Sequence, residues 1–556
     1  MPSEYFDYVC LGGGVAAGYW AEELVELRLE SGSRSRKKIC IISAYPEGLA
    51  PYERPAVSKG CLKAENTHLR DWQQWGKTAF PFTSLGSGGE ARAQKWYRDN
   101  NITVLWGCEC VEADVSGACL RLVQHERTGT TRTREVTYGS LLIATGASPR
   151  KLGGEQETAL FCKMHSDVRG LRLLRPEMYG LGSVHYLRDM GDCVKLAKAL
   201  GTKATTLASR AAPSNGGNVA EDAVAVVGGG FIAMEVAAAI LSYYPGVTPV
   251  ILMDGPHLMH GFFSADLASF YEKRLEAKGA RLVRNVWTER LWGLKESGQL
   301  NTLEGVVRKF PPAPLTYSSC RGVVVCPSGG GDDMYVPARM VVVGVGGVPN
   351  SGLFTGSLLM AKDGGILVDS GCRVRPAMGT GGASAPELIR PVFAAGDVAS
   401  FPLPLEGNKI VRHEHVQNAR DMAVVAARNM FGDGAPEDDV MYDVVPSFYS
   451  RLLDLSWKFF GVAEGSVVVM GLEDFETTRT MGAFWVRDER VVGALLEGGT
   501  QEQQAALEEV ARLRPKVFSA RVLKGVPLGD FLEDPGSIEA DDNADLSQLL
   551  MCCRCV

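Results

Sequence analysis

Twice in this chain a short aliphatic run breaks directly into three consecutive glycines and then into a helix-patterned stretch. Tyr8-Val9-Cys10-Leu11 meets Gly12-Gly13-Gly14 ahead of Tyr19, Trp20, Leu24 and Leu27, and Ala223 to Val227 meets Gly228-Gly229-Gly230 ahead of a helix reaching Ile240. Glycines at such a turn let backbone N–H groups approach a pyrophosphate, which then sits at the positive N-terminus of the helix. The third small position is Ala17 in the first copy, one short of Gly18, and Ala233 in the second. One such turn alone is a weak signal, with an ordinary tight turn as its alternative. Two, each between a strand and a helix, imply two different dinucleotides.

Each copy continues as a βαβ unit. Ile39-Cys40-Ile41-Ile42 follows the first helix and Val250-Ile251-Leu252 the second, runs short enough to be buried parallel strands. Ser140 to Gly146 and Val341 to Gly347 are strands ending in small-residue turns, each predicted to close one nucleotide domain. Val392 to Asp397 is a further strand with a carboxylate just past its end, predicted to return to the first domain. Beyond Glu437 the pattern becomes short alternating strands at Val467 to Met470, Ala483 to Val486 and Val491 to Leu495, then an amphipathic helix from Gln501 to Leu513. The predicted class is α/β, with two Rossmann-like dinucleotide-binding domains and a C-terminal α+β domain. The predicted boundaries are 1–185 and 351–436 for the first nucleotide domain, 186–350 for the second, 437–533 for the C-terminal domain and 534–556 for a disordered acidic, cysteine-bearing tail. Thr205 to Glu221, Phe310 to Tyr335 and Gly379 to Pro386 read as surface insertions.

Composition narrows the partners. At 46% hydrophobic and 22% charged residues over 556 positions, the chain has ample apolar surface for several cores and lies far from disorder. A net charge of −7 supplies no diffuse positive field for nucleic acid or an acidic membrane. The longest apolar stretch, Ala223 to Leu241, holds three glycines and Glu235, so no membrane span is expected. Seven residues precede the first strand-like run, leaving no room for a leader in the sequence as given; a cytoplasmic location is expected. The 14 cysteines show no regular disulfide framework, and the one Cys-x-x-Cys, Cys552 to Cys555, lies in the tail. His413/His415 and His257/His260 are spaced like metal ligands but lack a neighbouring carboxylate or cysteine cluster, so no metal is expected.

The run Ala50-Pro51-Tyr52-Glu53-Arg54-Pro55-Ala56-Val57-Ser58-Lys59-Gly60 has no periodicity to bury, yet sets Arg54 and Lys59 near the first nucleotide. With the opening Gly-Gly-Gly-Val-Ala-Ala-Gly-Tyr it resembles the plant monodehydroascorbate reductases. A tighter match lies in Glu414-His415-Val416-Gln417-Asn418-Ala419-Arg420, and in Pro446-Ser447-Phe448-Tyr449-Ser450-Arg451 with Leu455-Ser456-Trp457. The resemblance runs from about Tyr8 to Phe531, broken by the three insertions.

It implies FAD and NADH as cofactors. Gly12, Gly13, Gly14, Val15 and Ala16, with Glu47, Arg54, Lys59 and Asp397, would hold FAD; the Cys110 backbone and Val416 would lie nearby, and Arg188 and Asp189 would complete the site. Gly229, Gly230, Phe231, Ile232, Ala233, Met234 and Glu235, with Asp254, Gly346, Glu414 and His415, would form the nicotinamide-nucleotide site. Arg420 and Arg451 would bind an organic anion, and Tyr449, the catalytic candidate, would sit beside the flavin. A planar guanidinium suits that task because it can donate two hydrogen bonds to a pair of oxygens. Without the motif, the arginines read equally as surface ion pairs and Tyr449 as a half-buried core aromatic.

Asp254, at the end of the second strand of its unit, reads as a ribose ligand that would repel a 2′-phosphate and favour NADH, or as a solvated turn aspartate. Two departures stand out. Leu258-Met259-His260-Gly261 occupies the place of a family arginine, and the wide gap between Ser43 and Glu47 makes Glu47 the least secure FAD ligand. No second cysteine follows Pro55 at the spacing a flavin-linked dithiol needs, and Cys61 stands alone, so disulfide reduction is disfavoured.

The resemblance implies an enzyme that passes hydride from NADH to FAD and reduces the monodehydroascorbate radical to ascorbate in one-electron steps. Its partner is then a small molecule, with no obligate protein partner. The alternative is a ferredoxin-reductase-like or apoptosis-inducing-factor-like NADH flavoprotein acting through a protein partner, which has no need of Arg420 and the Tyr449-Ser450-Arg451 run.

Overall fold

The computed structural model describes residues 3–32, 37–45, 47, 49, 51–63, 92–125, 130–152, 184–208, 223–293, 320–338, 340–377, 388–432, 439–517, 523 and 528–533. The acidic tail, Gly379 to Pro386 and most of Thr205 to Glu221 lie outside them, as does the first part of Phe310 to Tyr335. The chain divides into two compact units, residues 1–258 with 272–443, and residues 259–271 with 444–556.

The first unit is built twice on one plan. In the seven-stranded sheet, the strand Glu4–Leu11 pairs in parallel with Ile39–Ser43 on one side and with the long strand Thr131–Ile143 on the other. In the five-stranded sheet, Ala223–Val227 pairs in parallel with Thr248–Leu252 on one side and Met340–Val343 on the other. Both central strands are followed by the glycine turn and a helix, Val15–Glu30 and Phe231–Tyr243. All five residues of Ala223–Val227 and of Ile39–Ser43 are buried. Helices or further layers cover both faces of a parallel sheet, which is why these strands read as continuous apolar runs without alternation.

The strand Val392–Ala394 joins the first sheet beside Leu141–Ile143, so the chain returns to the first nucleotide fold after completing the second. The helix Val416–Phe431 then packs along Val15–Glu30; Trp20, fully buried, donates its indole N–H to the Met430 sulfur at 3.2 Å. Arg428 pairs with Glu23 at 2.6 Å across the same interface.

The two folds are tied at the turns that close them. Ala147–Pro149 and Gly347–Pro349 form a two-stranded antiparallel ribbon, and Asn350 donates its side-chain amide to the Thr145 carbonyl at 2.9 Å. Each turn following a closing strand is thereby held against the other.

The second unit is an antiparallel sheet of five strands in the order Ser447–Leu452, Leu455–Gly461, Arg490–Glu497, Met481–Arg487, Ser466–Met470. One face buries an aromatic cluster in which Phe262 meets Phe448, Trp457, Phe459 and Trp485, with ring centroids 4.9–5.9 Å apart. Phe263 stacks on Tyr271 at 5.2 Å. The helices Gln501–Leu513 and Leu528–Glu533 contribute Leu507, Val510, Phe531 and Leu532 to a core with Phe484 and Leu496. Buried Glu497 accepts from the Ser456 N–H at 2.6 Å and the Tyr271 hydroxyl at 2.9 Å, and burial raises its pKa.

Candidate functional site

The two glycine turns share one geometry. Gly12 has φ +132° and Gly228 φ +113°, conformations that residues with a Cβ rarely adopt. A Cβ on Gly12 would lie 2.2 Å from the Ala144 carbonyl oxygen, and one on Gly228 would lie 2.3 Å from that of Gly344. Each turn thus passes flush against the end of its closing strand, and the next helix begins directly after it.

The first N–H groups of these helices are uncapped. The helices beginning at Val15, Phe231 and Val416 have Gly14, Gly230 and His415 as N-caps, and none donates or accepts a side-chain cap bond. By contrast, the helix Gln501–Leu513 starts with a full capping box, Thr500 accepting from the Gln503 N–H while the Gln503 side chain accepts from the Thr500 N–H. Residues from all three uncapped helices line one cleft of about 230 Å³ in the first unit, among them Gly14, Val15, Ile232, Glu235, Val416 and Ala419. Uncapped helix N-termini facing a shared cleft suit anionic groups.

Charge in the cleft is arranged around Arg54. Its guanidinium donates to the Tyr45 hydroxyl at 2.9 Å, while its Nε is buried without a hydrogen-bond partner among the described atoms. Arg188 lies in the same wall and pairs with Asp397 at 3.1 Å; burial and the nearby Arg54 charge push Arg188 down, and Asp397 counteracts them. Two guanidiniums beside an uncapped helix, one with an unanswered donor, fit a diphosphate.

On the second fold's side, Lys59 pairs with Glu235 at 2.7 Å, and the Ser58 hydroxyl donates to the other Glu235 oxygen at 2.5 Å. Glu414 is fixed by Arg412 at 2.7 Å and crowds Gly347, where a Cβ would come within 2.7 Å of the carboxylate. His413 and His415 flank Glu414. Burial, reinforced by Arg412, pushes His413 down to about 4, and burial, reinforced by His413, pushes His415 down to about 3, so both are neutral near pH 7.

Residues 6–423 match the family model of the pyridine nucleotide-disulphide oxidoreductases, and residues 445–529 match the C-terminal domain of monodehydroascorbate reductase 3-like proteins. Peroxisomal monodehydroascorbate reductase 2 of Oryza sativa subsp. japonica is 33% identical over 93% of this chain and 87% of its own length. Monodehydroascorbate reductase of Pisum sativum is 31% identical, covering 92% and 95%.

The chain belongs to the monodehydroascorbate reductase family.

FAD and NADH are the cofactors of that family. Solved structures share the fold: putidaredoxin reductase, in its covalent complex with putidaredoxin, aligns with TM-score 0.64 over 96% of this chain and 99% of the other at 19% identity. The ferredoxin reductase for the CYP199A2 system from Rhodopseudomonas palustris aligns with TM-score 0.58 over 88% and 91% at 24% identity.

The structure gathers much of the predicted set at the cleft: Gly14, Val15, Ala16, Arg54, Lys59, Arg188, Asp397 and Val416 from the FAD set, and Ile232, Glu235 and Glu414 from the nicotinamide set. Other members lie behind or beside it. Gly12 and Gly13 shape the turn from behind, a Cβ on Gly13 meeting the Ser43 hydroxyl at 2.2 Å. Asp189 accepts from the Asp192 N–H at 3.0 Å, and Cys110 lies within the strand Cys108–Asp114. Glu47 is exposed and Asp254 half-buried beyond the strand Thr248–Leu252. Gly346 has φ +98°, and the rings of His415 and Phe231 meet edge-on at 6.5 Å.

Arg420 pairs with Glu53 at 2.7 Å and lies over the Tyr19 ring at 5.2 Å, with Arg92 over the same ring at 4.3 Å. In the second unit, Tyr449 and Arg451 alternate with buried Ser450 and so lie on one exposed side of their strand. Cys61, alone in its stretch of sequence, hydrogen-bonds with Cys193, and this contact together with burial raises its pKa, leaving it a poor nucleophile.

Sequence reasoning missed Arg412 and Ser58. Both flank residues that were singled out, but a basic or hydroxyl side chain in a loop carries no mark of the partner it will meet.

Proposed function

We propose that this protein oxidises NADH and reduces the monodehydroascorbate radical to ascorbate. The observation that carries the proposal is the pair of matching glycine cradles whose uncapped helices face one cleft lined by Arg54, Arg188, Lys59 and Glu414, in a chain of this family. When bound, FAD accepts a hydride and gives up electrons singly, the chemistry that links a two-electron donor to a radical acceptor.

The chain's own residues supply position and charge. Gly12 and Gly14 admit a diphosphate to the first N–H groups of Val15–Glu30, and Arg54 and Arg188 neutralise it, with Asp397 setting the Arg188 fork. Gly228 and Gly230 admit the second nucleotide to the start of Phe231–Tyr243 in the same way. Lys59, braced by Glu235, lines the cleft beside Arg54 and Arg188. The Glu414 side chain is held in place by Arg412, ready to accept from an amide. The roles that the resemblance assigns to Arg420, Arg451 and Tyr449 are carried here as proposals, as are Asp254 as the ribose ligand and Glu47 among the FAD ligands.

Among the described residues no helix is long and apolar enough to cross a membrane. A cytoplasmic location suits the free thiols at Cys10, Cys40, Cys61, Cys193 and Cys372, and a small organic radical as acceptor removes the need for an obligate protein partner.

The test is NADH oxidation by the purified yellow protein while ascorbate oxidase generates the radical, compared with the same mixture lacking ascorbate. Radical-dependent turnover is expected. A yellow protein that NADH reduces, but that shows no such turnover, overturns the acceptor and leaves the cofactors standing.

A further inference from the structure

Between the two nucleotide folds, a single guanidinium holds a wall of each site. Arg412 follows the strand Lys409–Val411 and is 12% exposed. Its Nη1 donates to the Asp397 backbone carbonyl at 3.0 Å and to the Glu414 carboxylate at 2.7 Å. Its Nε donates to Asp363 at 3.1 Å, and the other Asp363 oxygen is held by the Ser400 hydroxyl at 2.9 Å and the Gly365 N–H at 3.1 Å.

The guanidinium is therefore anchored at its Nε edge and shares one nitrogen between two residues of the cleft. Asp397 belongs to the wall that carries Arg188, and Glu414 to the wall beside Gly347. Because the fork is planar and rigid, its two acceptors cannot shift independently without losing a charge-assisted bond. Glu414 is closed off on its other side as well, since Gly347 leaves only enough room for a residue without a Cβ.

We propose that Arg412 is the positioning residue for hydride transfer: by holding the Asp397 carbonyl and the Glu414 carboxylate on one nitrogen, it fixes the nicotinamide contact relative to the flavin side of the cleft. The proposal rests on the reading of Asp397 as part of the FAD site and Glu414 as part of the nicotinamide site. Asp363 and Ser400 form its anchor, outside the cleft. A donor and an acceptor held for direct transfer are sensitive to displacement on the ångström scale, so loss of the fork acts on the transfer step rather than on the adenosine end.

The experiment compares Arg412→Ala, Arg412→Lys and Asp363→Asn holoenzymes with the parent protein. Binding of NAD⁺ and of ADP-ribose, which lacks the nicotinamide, is measured by titration calorimetry. Flavin reduction by NADH is followed anaerobically at 450 nm, and reoxidation of dithionite-reduced enzyme by ferricyanide is followed separately. Arg412→Ala is expected to slow flavin reduction by about tenfold to a hundredfold and to weaken NAD⁺ while leaving ADP-ribose affinity and reoxidation unchanged. Arg412→Lys, which keeps the charge but not the fork, does not restore the rate, and Asp363→Asn gives a smaller loss of the same kind.

Unchanged flavin reduction in Arg412→Ala overturns the proposal, and so does an equal loss of NAD⁺ and ADP-ribose binding, which marks a general structural role. Should that variant not retain FAD, Asp363→Asn carries the test, and unchanged reduction there is the overturning result. Glu414→Ala separates the proposal from the reading beneath it. If that variant reduces normally, the nicotinamide site is misplaced; if it is slow while the Arg412 variants are normal, only the role of Arg412 falls.

Discussion

At the scale of single residues, Gly12 and Gly228 offer the clearest separation of the two cofactors. Each would put a Cβ within 2.2–2.3 Å of a carbonyl oxygen at a positive φ, a strain of roughly 1–3 kcal/mol before any clash is relieved. Gly12→Ala is expected to lose FAD affinity on the order of tenfold or more and to purify with depleted 450 nm absorbance. Gly228→Ala stays yellow but is reduced slowly by NADH. Equal flavin content and equal reduction rates in both variants would sink the assignment of one turn to each cofactor. Arg451→Ala is expected to raise the KM for the radical about tenfold with little change in NADH affinity; an unchanged KM removes it from the anion site. The glycines were legible as turns because they stand in runs whose spacing has a mechanical meaning, whereas Arg54 lies in a run without periodicity and was singled out by its charge and by the family resemblance. The pairings Lys59 with Glu235 and Arg420 with Glu53 were not, since nothing local in the sequence says which of 58 basic side chains meets which carboxylate.

At the scale of elements, hydrophobic period carried most of the fold. The runs at Tyr8, Ile39, Ala223, Val250 and Val341 all became strands because burial on both faces demands continuous apolar residues. The helix Gln501–Leu513 begins and ends where its period does, sealed by Thr500 and Gln503. Period says little about a turn such as Arg412 to His415, where the structure leaves two histidines neutral beside a cation. For both, the native value lies below the ordinary 6.5, so the unfolded chain takes up protons before the folded one. Stability is then fully present above about pH 6.5 and declines as pH falls toward 4. Melting temperature measured from pH 7.5 to 5 is expected to drop, and His413→Asn should flatten the slope. An identical slope in that variant would assign the loss to other groups.

At the scale of the whole molecule, the division into units does not follow the order of the chain. The stretch 259–271 lies inside the sequence of the second nucleotide fold, yet belongs to the unit formed by 444–556. Its Phe262-Phe263 pair looks in sequence like any apolar couplet of an α/β domain, and only the three-dimensional contacts give it to the aromatic cluster. Phe263, 4% exposed between Tyr271 and Trp457, is expected to cost about 3–5 kcal/mol on truncation to alanine. Limited proteolysis of Phe263→Ala should then cut preferentially after residue 444 while bound FAD is retained; cleavage unchanged from the parent would deny the segment its role in that core.

The same interleaving sets a timetable for synthesis. Phe262 and Phe263 leave the ribosome about two hundred residues ahead of Trp457 and Trp485, the rings of their native cluster. At translation rates of roughly 5–20 residues per second, that is an interval of about ten seconds or longer in which the two phenylalanines lack the tryptophans of their native cluster. The nascent chain therefore carries a sticky, unfinished surface through much of its production, and holdase chaperones have a defined window and a defined pair of residues to grip.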